Sequence, residues 1–348
     1  MMRQTATYKS KEVAFTIDGI DVHKYSDVIY NVESATKSAW LSGKSFIIDA
    51  TDEAYYHFVF ENVGQFNALK SVISDLNLVI LMPDEQGYEV PDYITWCVER
   101  LCSENSNALV IRELSRNLRF DSLYVASPRL IRFFHYLESG LFDLVRQESY
   151  QRFVVPSLRE FFLRNLPLGE SNGKIYASQK TKGDEIRFWK EYLDYLKDNG
   201  VSWDKETKTV SDPLKVLENL PDRYSTGGRH TYTPPWVLEL EVLGRYLPEA
   251  DEQALEDCFS SQGFEIMSHL EVSYANQMAK IANCESYVTV TGASVLNAVV
   301  CPIDAKIVII KNGSNWLMPN HDYLPNLISK NSTVVDVKDL LEKVDKDD

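Results

Sequence analysis

Apolar residues run along this chain in two alternating rhythms. Short continuous runs, Ser45–Ala50 (SFIIDA), Leu78–Met82, Ala108–Arg112 and Ser122–Ala126 (SLYVA), have the length and side-chain type of strands. Between them, apolar positions recur every three or four residues. Val59, Val63, Phe66 and Ile73 share one helical face; Ile94, Val98 and Leu101 share another, in a helix from Pro91. Val13–Ile17 reads as an edge strand before the Asp18-Gly19 turn, and Ile29–Leu41 has weak helical character. Ser127-Pro128 has the form of an N-cap with proline at the first helical position, opening a helix to about Glu138. Strand and helix thus alternate to about residue 140, which predicts an α/β layer with a mainly parallel sheet.

The alternation resumes further on. Ser157–Glu160 (SLRE) is a capping-box pattern ahead of Phe161 and Phe162, Lys174–Ser178 reads as a strand, and Gly183–Lys197 carries helix-spaced Ile186, Trp189, Leu193 and Leu196. Residues 199–235, with Asp212-Pro213, Gly227-Gly228 and Pro234-Pro235, read as a long loop or insertion. A helix through Leu247, Leu255 and Cys258 has an acidic first turn (Glu249, Asp251, Glu252) that suits the helix dipole, and Gly263 stops it. Strands Phe264–Met267, Tyr287–Val290 and Lys306–Ile310 alternate with a helix capped by Ser273 and a short helix Ser294–Val300, and Val334–Asp348 is a helical tail. The fold expected is α/β: two Rossmann-like domains, residues 1–160 and 170–325, followed by a tail at 326–348. Ligands then bind at the carboxyl ends of the strands, in the cleft between the halves.

Composition narrows the function. The chain has 348 residues and a net charge of −15, which argues against a nucleic-acid partner, since phosphate neutralisation needs a basic surface. Its five cysteines, Cys97, Cys102, Cys258, Cys284 and Cys301, have no metal-ligand spacing and read as reduced thiols. The first residues lack the apolar core of a secretory signal, and no apolar run is long enough to span a bilayer. A cytoplasmic protein is the expectation.

Two stretches carry candidate chemistry. In Tyr55–Gln65 (YYHFVFENVGQ), His57, Glu61 and Gln65 stand four apart and stack in one column on a helix. A carboxylate with an imidazole one turn before it, at the exit of a strand, suits a general base with an orienting partner. An exposed ion-pair column on an ordinary helix has the same spacing. In Tyr287–Val299 (YVTVTGASVLNAV) a strand runs into Thr291-Gly292-Ala293-Ser294 and a helix begins. Small residues there let the backbone approach a ligand, and free N–H groups at a helix start favour phosphate, although a tight turn without a ligand reads the same way. The TGAS tetrapeptide is not the start of a short-chain dehydrogenase, because Val295, Leu296 and Asn297 follow where that fingerprint needs further glycines.

Taken together, these stretches resemble glycosyltransferase family 61. The family's carboxyl-terminal signature, a strand followed by His-Gly-Ala, small and apolar residues, Asn, an apolar run, Pro and another strand, corresponds to Thr291–Ile310 (TGASVLNAVVCPIDAKIVII). Its Gly-Phe-Glu strand and Glu-Gln-bearing helix resemble Gly263-Phe264-Glu265 and Asn276-Gln277. Its arginine-introduced helix resembles Arg245–Glu249, and its His-Phe pair with a following acid resembles His57–Glu61. Leu123-Tyr124-Val125 and Ile175–Ser178 fall where family strands do. The resemblance spans roughly residues 50–311. It departs in three places: Thr291 stands for the signature histidine, Glu61 for an aspartate, and Gln179-Lys180 for an arginine.

The resemblance implies a GT-B-type, inverting, metal-independent transferase that uses a nucleotide sugar, a uridine diphosphate sugar, and a glycan or protein-linked hydroxyl as acceptor. It needs no cofactor beyond that donor. The first domain is then the acceptor side and the second binds the nucleotide sugar. Glu61 is the base that deprotonates the acceptor hydroxyl. Lys180, Arg245 and the Gly292–Ser294 helix start, Thr291, Gly292, Ala293 and Ser294, cradle the leaving diphosphate; Lys182 or Arg187 replaces Lys180 in a variant of this reading. His57 holds Glu61, contacts the acceptor, or is packed structurally. Gln277 and Asn297 bind donor hydroxyls or phosphate, or cap loops. The Asp345–Asp347 pattern reads as solvated tail charge. The departures also allow a second reading, a non-catalytic binding or structural protein on a decayed transferase scaffold.

Overall fold

Phe46, Ile47 and Ile48 are consecutive and fully buried, so the strand that holds them is covered on both faces, as in a parallel sheet between helices. The computed structural model that shows this describes residues 11–17, 20–30, 37–50, 55, 57–82, 90–112, 116–125, 148–167, 173–179, 183–204, 206–218, 235–239, 247–268, 272–311 and 325–347. The strand is β3 (Lys37–Asp49), in a sheet with β1 (Lys11–Ile17), β2 (Ile20–Tyr30), β4 (Leu76–Leu81), β5 (Leu109–Ile111) and β6 (Arg116–Val125), ordered β1-β2-β6-β3-β4-β5. The β6-β3-β4-β5 part is parallel, as expected, and β1 and β2 add an antiparallel edge.

That edge corrects the helical reading of Ile29–Leu41. Val28, Ile29 and Tyr30 lie opposite Phe120, Arg119 and Leu118 of β6, and Ala39 and Leu41 pair with β6 from its other side. Two β-branched residues and a tyrosine fit a pleated surface, and partners nearly ninety residues away satisfy the backbone. The β3–β6 register shifts between Leu41 and Lys44, where Gly43 has φ +83°. The helix expected at 127–138 lies outside the described residues.

The helix after β3 also differs from expectation. His57–Gly64 forms a π-helix, and only then does α1 (Gln65–Val72) take up α geometry. Next come α2 (Asp92–Glu104) and α3 (Glu148–Asn165). The SLRE pattern is not a helix start: Ser157–Glu160 lies well inside α3, directly after Pro156, itself within the helix. Val154, Val155, Leu158, Phe161 and Phe162 make one buried stripe through this point. Burying them, at about 1.5–3 kcal/mol each, outweighs the roughly 3 kcal/mol that an interior proline costs.

The second sheet is fully parallel. β7 (Lys174–Ser178), β10 (Phe264–Ser268), β11 (Ser286–Val290), β12 (Lys306–Lys311) and β13 (Ser332–Asp336) are ordered β10-β7-β11-β12-β13. The helices α4 (Gly183–Asp198), α6 (Glu249–Ser261), α7 (Tyr274–Ala282) and α8 (Val337–Asp347), with a 3-10 helix at Ala293–Val300, connect or follow these strands. Residues 334–336, read as the start of a helical tail, belong to the edge strand β13, and Asp336 accepts the Lys338 N–H at the start of α8 (3.1 Å). The stretch expected as a loop holds β8 (Trp203–Asp204) paired with β9 (Thr209–Val210), and a helix α5 (Pro213–Glu218). With α4 it buries its own cluster around Trp189, Leu196, Val201 and Val216.

The two α/β units that a GT-B-type architecture requires are therefore present. One continuous apolar core runs from Phe46 and Phe161 in the first unit to Tyr274, Val299 and Ile307 in the second. Arg159 of α3 crosses between them, donating to the carbonyls of Val299 (2.8 Å) and Cys301 (2.5 Å) at the end of the 3-10 helix. A cation there suits the negative end of a helix.

Candidate functional site

The π-helix carries the first set of candidates. Phe58, Val59, Phe60, Asn62 and Val63 are all buried, and Gln65 is fully buried at its end. The exposed-column alternative therefore does not hold at Gln65. An i→i+5 ladder widens the turn, so positions 57 and 61 remain on one side of the helix, and π segments are common at functional sites. The side chains of His57 and Glu61 lie outside the described residues.

The second set gathers at the carboxyl ends of β7 and β11. Thr291 is buried and its N–H donates to Ile310 (2.8 Å). Gly292 has φ +150° and ψ −166°, a conformation essentially restricted to glycine, and it turns the chain out of the sheet into the 3-10 helix that begins at Ala293. The Ser294 hydroxyl points back into the protein, sharing a hydrogen bond with Thr289 Oγ1 (2.7 Å). Gln277 is buried, and its Nε2 donates to the Val272 carbonyl (2.6 Å), the loop-capping role. Lys180, Lys182 and Arg245 lie outside the described residues, and Arg187 is exposed on α4. Lys280 and Glu265, in the Gly-Phe-Glu strand, form an ion pair.

The two stretches meet. Tyr55, two residues before the π-helix, donates its hydroxyl to Asn297 Oδ1 in the 3-10 helix (2.6 Å), and its oxygen lies 2.9 Å from the Tyr274 hydroxyl. A phenol has one proton, so Tyr274 donates to Tyr55. The Tyr287 hydroxyl donates to the Ser294 carbonyl (2.9 Å). A directed chain thus runs from Tyr274 through Tyr55 to Asn297 across the inter-unit contact. Burial pushes the Tyr55, Tyr274 and Tyr287 phenols above their ordinary range, so these groups stay protonated. Tyr93, Trp96 and Phe162 of the first unit enclose this contact; Trp96 stacks on Phe162 with centroids 5.7 Å apart and meets Tyr274 edge-on.

Glu252, one of the three acids in the first turn of α6 that suit the helix dipole, is turned inward and 4% exposed. Its Oε1 accepts from the Tyr176 hydroxyl (2.8 Å) and the Gln179 N–H (2.9 Å), and Ser178 donates to Glu256 (2.5 Å) beside it. Burial raises the Glu252 carboxyl above its usual range, although the Gln179 N–H, Tyr176 and Ser178 pull the other way. The signal for it was the spacing: Glu252, Leu255 and Phe259 share one helical stripe, and all three are buried. Among the described residues no group of three or more His, Cys, Asp or Glu side chains is arranged to hold a metal ion, and no helix is long and apolar enough to cross a membrane.

No family model and no curated protein matches this sequence, so the family 61 resemblance gains no support from them. Among solved structures, the chain is similar to the E. coli heptosyltransferase WaaC with ADP-2-deoxy-2-fluoro heptose. The identity is 10% over 87% of this chain and 100% of that one, with a TM-score of 0.32, too low to argue from.

Proposed function

We propose that this chain is a glycosyltransferase that takes a nucleotide sugar, a uridine diphosphate sugar, and transfers its sugar with inversion to a hydroxyl of a glycan or glycoprotein. The observation that carries this reading is the hydrogen bond from Tyr55 to Asn297. It brings the strand exit that leads to Glu61 against the helix that follows the Gly292 turn, which supports a reading with a base from one unit and a phosphate-binding turn from the other. Glu61 takes the acceptor proton, and His57, four residues earlier, orients it or contacts the acceptor. Backbone N–H groups after Gly292, with Lys180 and Arg245, hold the diphosphate as it leaves, which is how a metal-independent site stabilises that charge. Glu61→Gln tests this: transfer is expected to vanish while nucleotide binding stays. Unchanged activity in that variant removes Glu61 from the mechanism.

One set of contacts favours the second reading, a non-catalytic binding protein on a transferase scaffold. The polar groups of Ser294, Asn297 and Gln277 are all engaged within the protein. A thermal-shift series with nucleoside diphosphates separates the readings, since a scaffold without a donor site gives no shift with any of them.

A further inference from the structure

Two side chains at the carboxyl edge of the second sheet are buried with an acceptor atom that no protein donor reaches: Glu252 Oε2 and Gln179 Oε1. Glu252 is 4% exposed and Gln179 is 9% exposed. They belong to one cluster, because the Gln179 N–H donates to the other oxygen of the same carboxylate, Oε1, at 2.9 Å, alongside the Tyr176 hydroxyl at 2.8 Å. The Gln179 side chain reaches over the glycine turn: its Nε2 lies 3.4 Å from the Thr291 carbonyl, and a Cβ on Gly292 would stand 3.5 Å from it. β7 and β11 are parallel neighbours, so Gln179 and Thr291 leave the sheet side by side where ligands of open α/β sheets bind.

A buried acceptor with no donor is costly, so two together are expensive if they serve packing alone. Both free atoms are acceptors, so the missing group must bring donors. It must bring two, for one carboxylate oxygen and one amide oxygen. Adjacent hydroxyls on a sugar ring supply that pair without bringing a second charge, and O–H donation to a carboxylate is among the stronger hydrogen bonds.

We propose that Glu252 and Gln179 form a subsite for a vicinal diol of a sugar ring, Glu252 Oε2 accepting one hydroxyl and Gln179 Oε1 the other. This rests on the nucleotide-sugar reading, in which two rings carry such a diol: the ribose of the nucleotide and the transferred sugar.

Calorimetric titration of the full chain tests it, with uridine diphosphate, its 2′,3′-dideoxy analogue and UDP-glucose, on wild type, Glu252→Gln and Gln179→Leu. If the ring is ribose, the dideoxy analogue binds wild type about ten- to a hundredfold more weakly than uridine diphosphate, and each variant narrows that difference. If the ring is the transferred sugar, the variants bind uridine diphosphate normally and lose only the gain that glucose confers. Either pattern supports the subsite. Variants that bind all three ligands as wild type does overturn it and leave the nucleotide reading standing, with an ordered water as the only donor to these atoms. Wild type that binds no nucleotide overturns both. Ligand-free Gln179→Leu is expected to melt no lower than wild type, since it loses an unpaired buried acceptor. A variant that melts lower and weakens all three ligands equally assigns these residues a structural role and overturns the subsite.

Discussion

The hydroxyl of Tyr55 lies 2.6 Å from Oδ1 of Asn297, joining residues 242 positions apart in sequence and tying one α/β unit to the other. Both partners sit in buried or partly buried surroundings, so the bond cannot be exchanged freely for water. It also fixes the orientation of the Asn297 amide.

Tyr55→Phe keeps the ring and removes the donor. Asn297 Oδ1 is then left buried without its partner, at a cost of about 1–3 kcal/mol. Urea denaturation should show this as a lower midpoint with an unchanged slope. A double-mutant cycle with Asn297→Leu should recover part of the loss, because it removes the orphaned amide oxygen while the Tyr274 hydroxyl still lacks its acceptor. Simple addition of the two losses would mean that the hydroxyl and the amide are not coupled.

A second tie crosses the units at α7. Ser273 stands at its N-cap but makes no side-chain cap hydrogen bond; instead Asp92, in the first turn of α2, accepts the Tyr274 N–H (2.7 Å). Asp92→Ala is expected to cost about 1 kcal/mol, the usual value of a lost cap, and Ser273→Ala much less. Amide exchange should rise selectively in the first turn of α7 in the Asp92 variant. Equal effects of the two substitutions would return the capping role to Ser273.

Two glycines are required for different reasons. At Gly64, the last residue of the π-helix, an added Cβ would lie 2.5 Å from Val154 Cγ1 of α3, so Gly64→Ala forces the helices apart and should cost about 1–3 kcal/mol. At Gly292 the space is ordinary, with Gln179 Nε2 at 3.5 Å, and the obstacle is the backbone itself at φ +150°. Gly292→Ala is expected to cost about 1–3 kcal/mol through strain. Combining each with Val154→Ala separates them by thermal melting: the smaller neighbour should relieve Gly64→Ala and leave Gly292→Ala as it was.

Glu252 should leave a signature in the pH dependence of stability. Burial raises its carboxyl in the folded chain, and Glu256 on the next turn and the Tyr176 hydroxyl of β7 face the same group. Above the ordinary glutamate value, about 4.3, the unfolded chain has released a proton that the folded chain still holds. The stability due to this group is therefore fully present below that value and is lost as pH rises through the folded-state value. Denaturation of ligand-free protein across this window should show wild type losing stability relative to Glu252→Gln. Parallel profiles would mean that the carboxyl is not raised.

Four of the five strands of the second sheet were legible in the chain because a parallel strand covered on both faces is a continuous apolar run, as in Lys174–Ser178 and Lys306–Ile310, whereas β13 at the edge was not. The glycine turn after Val290 was legible for a similar reason: small residues between a strand and a helix restrict what the backbone can do there. Local pattern failed where distant partners set the outcome. Residues 29–30 and 37–41 became strand because they pair with β6 from its two sides, and Ser157–Glu160 lost its capping role because the buried stripe of α3 extends past Pro156. The π geometry of His57–Gly64 depends on how the segment packs between β3 and α3, which a hydrophobic period near 3.6 does not encode. Glu252 illustrates the same division. Its place on an apolar stripe was written in the spacing, but whether the carboxylate turned to solvent or inward depended on Tyr176 and Gln179 arriving from a strand more than seventy residues earlier. Periodicity reports which face a residue occupies; only packing supplies the partners that make burying its charge tolerable.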